Sequence, residues 1–318
     1  MFLCGKYLHC PMDSHFNFEF GLLFTDVSTE MHAKEHSFGD YILRPSTVDE
    51  INKAMPYLQM WSQRRGMGSW PVQCHPEWRL QDGRFMSLVF TGQEPSRIFM
   101  PSINLAFAIS DSEMRVGYFL DSEGGIYQPF HKFLGFGVQN DLGAIFPSRP
   151  ATQTGDLADL EDILSHFQTK SIDKFVLGSL ELFYSLDRLP DHEPIKVLGY
   201  FTVLESLLSH APADNDRADS IRRQLERNLI LLDNRLKPIG QSLGFEDFGG
   251  IGPRKLMGKL YSYRSEIAHG SLSDSSIETL QKLRNDIDDL WFHNWLRRLV
   301  RKVLYATIRE PELVRDLK

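Results

Sequence analysis

Near the end of the chain, the segment Leu260-Tyr261-Ser262-Tyr263-Arg264-Ser265-Glu266-Ile267-Ala268-His269-Gly270-Ser271 sets an arginine and a histidine five positions apart. Arg264 offers a permanently charged, planar set of donors to phosphate oxygens, while the imidazole of His269 is the side-chain type that can move protons at neutral pH. Together they suit cleavage of a phosphodiester in RNA. The imidazole shuttles the proton of an attacking ribose 2′-hydroxyl, the guanidinium takes up charge growing at phosphorus, and neither metal nor cofactor is required. Ser265 and Glu266 lie four and three positions before His269, a spacing at which helical side chains meet, and a carboxylate there favours the imidazolium. A purely structural reading of the same residues is that Arg264 pairs with Glu266 or another helix and His269 caps a C-terminus.

Leu256, Met257, Leu260, Tyr261, Ile267 and Ala268 recur at helical spacing, which places Arg264 on a helix with one apolar side, and Gly270 supplies its stop. Five positions at about 100° each set Arg264 and His269 roughly 140° apart around an ideal helix. A shared site therefore needs a distorted helix end or a second subunit. A second helix is predicted from Pro194, with Val197, Leu198, Phe201, Leu204, Leu207 and Leu208 turned to the core. Glu205 falls on that apolar-rich face, where it either reaches out to solvent or partners an arginine.

Four further helices are predicted around these two. Asp156 to Phe167 is one, and Ile172, Phe175, Val176, Leu180, Phe183, Leu186 and Leu189 mark an amphipathic one. Asp214-Asn215-Asp216 opens the third, with Ile221, Leu225, Leu229 and Leu232 inward. Its Arg222, Arg223 and Arg227 either contact phosphates or, with Asp219 and Glu226, form a solvated ion-paired face. Gly240 to Gly252 reads as a connector. A final helix from about Ser273 or Asp274 to Ile308 runs from acidic to basic, and its Arg297, Arg298, Arg301 and Lys302 complement the helix dipole or track an RNA backbone. His293 has no local partner constellation and reads as packed or surface.

With 318 residues, 42% of them hydrophobic, the chain can bury a large core and divides into two domains. A net charge of −7 excludes a general electrostatic coat for nucleic acid, so any RNA contact must be local. Cys4, Cys10 and Cys74 form an odd, sparse set that argues against a disulfide framework and for a reducing, cytoplasmic setting. Neither a signal peptide nor a membrane span is predicted.

Residues 1–150 read as an α+β module, a possible sensor or substrate selector. Strand-like runs lie at Phe16–Phe24, Phe85–Phe90, Ile98–Ile109 and Arg115–Leu120, and a Thr47/Glu50 capping box opens a helix that Pro56 breaks or kinks. Trp61 to Trp78 interleaves tryptophan with Arg64, Arg65 and Arg79, either as a base-stacking surface or as a loop plugging the core edge. Cys74-His75 is too small a set for a metal, and the glycines at 124–125 and at 135 and 137 match no phosphate-binding loop. Pro147 to Gly155 is the expected linker, and residues 156–318 form the expected second domain.

The segment Tyr261-x-x-Arg264-Ser265-x-x-x-His269-Gly270, with Phe201-Thr202-Val203-Leu204-Glu205-Ser206-Leu207-Leu208 upstream, strongly resembles the ApeA-like branch of the HEPN superfamily, over roughly residues 160–309. The resemblance implies an all-helical bundle of about five or six helices. It also implies a homodimer in which two subunits bring Arg264 and His269 to one cleft, with Ser265 and Glu266 tuning the histidine and Arg264 as partner for Glu205. The activity implied is a metal-independent endoribonuclease leaving 2′,3′-cyclic phosphate and 5′-hydroxyl ends, in prokaryotic antiviral defence or toxin-like growth arrest. A regulatory ligand or protein would act at the N-terminal module. The broader superfamily often has Asn, Asp or His directly after the arginine; here Ser265 stands there. The alternative is a catalytically silent scaffold that dimerises and binds nucleotide or a protein partner.

Overall fold

The computed structural model describes residues 18–23, 29–54, 85–91, 99–110, 116–121, 126–127, 156–169, 172–186, 189, 193–211, 220–270 and 289–317. The chain divides into two compact units, Met1–Ser165 and His166–Lys318. The first is an α+β module and the second is all helical, as the hydrophobic patterning predicts. Trp61 to Trp78, the three cysteines, the glycines at 124–125, 135 and 137, Pro56, the linker at 147–155, Asp214–Asp216 and Ser273–Asp274 lie outside the described residues.

In the first unit β1 (Phe18–Leu23), β2 (His36–Phe38), β3 (Tyr41–Pro45), β4 (Met86–Phe90), β5 (Val116–Asp121) and β6 (Ile126–Tyr127) form one antiparallel sheet in the order β2-β3-β4-β1-β5-β6. Leu22, Leu43, Met86, Leu88 and Phe119 are fully buried in it. Gly21 has no side chain because a Cβ there would stand 2.8 Å from Val116 Cγ1. A short α1 (Thr29–His32) precedes β2, and α2 covers residues 48–54. Its capping box is formed as predicted: Glu50 N–H donates to Thr47 Oγ1 at 3.2 Å and Thr47 N–H to Glu50 Oε2 at 2.9 Å. Arg44 adds a bidentate fork to the same carboxylate at 2.6 and 3.0 Å.

The Ile98–Ile109 run is a helix, α3 (Phe99–Ile109), and not a strand. A continuous apolar run carries no usable period, since a buried helix and a buried strand look alike, and the length of 11 residues is what favours a helix. Pro101 falls in its first turn, where its missing N–H costs nothing.

α4 (Asp156–Thr169) crosses the division between the units and agrees with the predicted leading helix. The second unit follows with α5 (Lys174–Leu186), α6 (Pro194–Leu208), α7 (Ile221–Leu236), α8 (Pro253–Ala268), α9 (Asp289–Arg309) and α10 (Pro311–Leu317). α5 buries Val176, Leu180, Phe183 and Leu186, while Phe175, expected inward, is exposed in the first turn and its N–H is taken by Asp173 Oδ1 at 2.8 Å. The described part of the third predicted helix begins at Ile221, after Ser220.

α6 is the axis of this unit: α5, α7, α8, α9 and α10 all pack against it. It can do so because Val197, Tyr200, Phe201, Val203, Leu204, Leu207 and Leu208 cover most of its circumference with buried side chains, each worth roughly 1.5–3 kcal/mol of transfer free energy. Between α7 and α8 the glycine-rich connector folds into two 3₁₀ turns, Lys237–Ile239 and Phe245–Phe248. Buried Asp233 accepts the Leu243 N–H at 2.7 Å, and Trp295 Nε1 donates to Gly244 O at 3.0 Å, which pins the connector to α9. No helix among the described residues is long and apolar enough to cross a membrane.

Candidate active site

α8 starts with Pro253 in its first turn and buries Leu256, Met257, Leu260 and Tyr263, the last meeting Phe292 of α9 edge to face at 5.5 Å. These contacts fix the rotation of the helix and so the direction of Arg264. Its end is where Gly270 was expected to place it. His269 sits at the C-cap with φ −93° and ψ 1°, and Gly270 takes φ 65° in the left-handed region. His269 N–H still donates to Ser265 O at 3.0 Å, and Gly270 N–H to Ile267 O at 3.1 Å.

Arg264 is held by Glu205 of α6, with Nη2 3.3 Å from both carboxylate oxygens. Of the two roles open to Glu205, the structure has the arginine partner. The Tyr261 ring lies beneath the guanidinium, 5.6 Å from its carbon, and is itself met edge-on by Phe201 at 6.0 Å. Burial pushes the Glu205 carboxyl above its ordinary range, outweighing the pull of Arg264 and Tyr261 toward ionisation. Burial, then the charge of Glu205, raises the Tyr261 hydroxyl in turn. The pair is incompletely satisfied, because Arg264 Nε and Glu205 Oε1 are both buried without a hydrogen-bond partner.

His269 is exposed and, among the described residues, makes no side-chain hydrogen bond or ion pair. The expected meeting with Ser265 and Glu266 does not form in this chain. Its physical reason is the C-cap: once His269 leaves helical dihedrals, the three- and four-residue spacings no longer stack the side chains. Within one chain the guanidinium and the imidazole are positioned by different means, one by the core and one by the helix stop.

The arginines proposed for RNA contact separate by burial. Arg297, with its guanidinium 5.7 Å from the Phe183 ring centroid, and Arg301 are buried in the bundle. Lys302 donates to Ser242 O, and Arg298 is exposed 4.0 Å from Asp247. The basic stretch of α9 thus faces two ways, and half of it serves packing. Arg222, Arg223 and Arg227 are exposed on α7, Arg222 with Nε 2.9 Å from Glu226 Oε1 and Arg227 with Nε 3.0 Å from Asn228 Oδ1. His293 is buried beside Phe292. Among the described residues no three His, Cys, Asp or Glu side chains converge on a point that could hold a metal ion.

Tyr261 was legible as part of a motif but not as the platform under Arg264; the signal was its position three residues earlier on the same helix. No family model, no curated protein and no solved structure matches the chain.

Proposed function

We propose that the protein is a metal-independent endoribonuclease of the ApeA-like HEPN type, working as a cytoplasmic homodimer in prokaryotic antiviral defence or toxin-like growth arrest. His269 accepts the proton of a ribose 2′-hydroxyl, the oxygen attacks the adjacent phosphorus, and the 5′-oxygen leaves with the proton that the imidazolium gives back, yielding a 2′,3′-cyclic phosphate and a 5′-hydroxyl. Arg264 stabilises the phosphorane charge. Glu205 and Tyr261 orient the guanidinium before substrate arrives, which is how an electrostatic site avoids reorganisation during reaction. Pairing of two copies brings one subunit's histidine to the other's arginine.

The observation that carries this reading is the contrast on α8: a guanidinium held in place by a carboxylate and an aromatic ring, and one turn later an exposed imidazole that, among the described residues, makes no side-chain hydrogen bond or ion pair. A histidine employed only as a cap would spend its ring on the last carbonyls. Incubating the purified protein with mixed RNA in EDTA and analysing the ends tests it. Cleavage yielding cyclic phosphate, reduced at least a hundredfold in both Arg264→Ala and His269→Ala with the fold intact, is expected. Equal cleavage by the variants refutes it.

One observation favours the silent-scaffold reading, namely that Arg264 already has a carboxylate partner within its own chain. On that reading both variants lose dimerisation and neither the variants nor the parent cut RNA.

A further inference from the structure

α7 and α8 bound an open groove of about 630 Å³, lined by Arg222, Glu226 and Ile230 from one helix and by Pro253, Arg254 and Lys255 from the start of the other. Three cations against one carboxylate leave it positive by two in a chain whose formal charge is −7. Arg254 and Lys255 are exposed, and among the described residues neither makes a side-chain hydrogen bond or ion pair. An acidic protein that gathers unneutralised cations in a concavity has built a local site for an anion.

The third cation is placed by a missing side chain. A Cβ on Gly258, in the middle of α8, would lie 2.6 Å from Arg222 Nη2. The bare backbone at Gly258 is therefore what lets the Arg222 guanidinium lie against α8, steadied by Glu226 at 2.9 Å. This position points the groove toward the Arg264 site, since Gly258 and Tyr261 lie three residues apart on one helix. Arg254, Gly258, Tyr261 and Ser265 follow one another at four, three and four residues, along one face of α8. From Arg254 to Arg264 the axis advances about 15 Å, ten residues at 1.5 Å each.

We propose that this groove is the backbone track for single-stranded RNA: Arg222, Arg254 and Lys255 each take a phosphate of the strand whose scissile phosphate lies at Arg264. The choice of RNA as the ligand rests on the ribonuclease reading. Contacts of this kind set the register of a strand and carry no base information, so binding is indifferent to sequence and sensitive to salt.

The test uses the full chain and a fluorescent 2′-O-methyl single-stranded RNA, which lacks the free 2′-hydroxyl and cannot be cut by the proposed route. Affinity is measured by anisotropy across a salt series. R254Q/K255Q removes two phosphate contacts and should lower the slope of log K against log salt by about 1.4, since each contact on a single strand contributes about 0.7. Circular dichroism verifies the fold of that variant. An unchanged slope, or no binding of the probe at low salt, overturns the groove. Cleavage of unmodified RNA by the parent protein is scored separately. Cutting with an unchanged slope retires the groove and keeps the nuclease; a lowered slope without cutting retires the nuclease and keeps the groove.

Discussion

Gly258→Ala should stabilise the helical unit while loosening its hold on RNA, a combination that a merely structural glycine would not give. In a helix interior Ala is about 0.8–1.0 kcal/mol better than Gly. Gly258 has no left-handed φ to forbid a side chain, and the three atoms nearest an added Cβ would be Arg222 Nη2 at 2.6 Å, Arg222 Cζ at 3.4 Å and Glu226 Oε1 at 3.6 Å. The first contact alone must give, and it is the tip of an arginine side chain that is 50% exposed. Swinging it away gives up its i,i+4 pair with Glu226, about 0.3–0.5 kcal/mol for a pair of this spacing. The balance is a gain of about 0.5 kcal/mol, or a Tm higher by roughly 1–2 °C for a unit of this size. Thermal unfolding followed by circular dichroism reads the stability, and anisotropy with the 2′-O-methyl probe reads the binding. With Arg222 displaced, the salt slope should fall by about 0.7. A Tm several degrees lower would refute the claim that only the arginine tip fills the space over Gly258, and an unchanged slope would refute Arg222 as a phosphate contact.

Gly199→Ala, on α6, should behave oppositely and cost about 1–3 kcal/mol, because its Cβ would stand 2.3 and 2.8 Å from the two Cδ atoms of buried Leu186, which has nowhere to go; a urea midpoint equal to that of the parent would contradict it. Two carboxylates should give stability profiles of opposite sign with pH. Burial and then Arg264 act on Glu205, with burial prevailing, so its folded-state value is raised: its contribution is fully present below the ordinary 4.5 and is lost as pH rises through the folded value. Glu50 is lowered, since the Arg44 fork, the Thr47 N–H and Ser87 outweigh burial, so its contribution is present above 4.5 and is lost as pH falls through the folded value. Denaturation at a series of pH values should show Glu205→Gln gaining on the parent as pH rises from acid and Glu50→Gln losing ground over the same rise, and parallel curves would show that neither shift is real.

The helices that carry the site were legible because their patterns were over-determined. Pro194 at a first turn, Gly270 at a stop and the apolar faces of α6 and α8 each say the same thing independently. Glu205 was legible as an anomaly, a carboxylate on an apolar face, although its partner could not be read from periodicity. The run at Ile98–Ile109 failed for want of a period. Arg297 and Arg301 misled for a different reason: a charge in a string of charges reads as solvent-facing, whereas both are buried on the inward side of α9. Arg254, Lys255 and Gly258 were not singled out at all. Their meaning depends on α7 packing across α8, a contact between segments that no local spacing encodes.

Among the described residues five helices enclose α6. The carboxylate that steadies Arg264 is mounted on the most enclosed of the described helices of this unit, where local opening costs most. His269 sits exposed at the C-cap, and helix ends are where local opening costs least. In the proposed reaction the two groups thus keep different clocks, and the enclosed one waits, already aimed, for the exposed one to arrive.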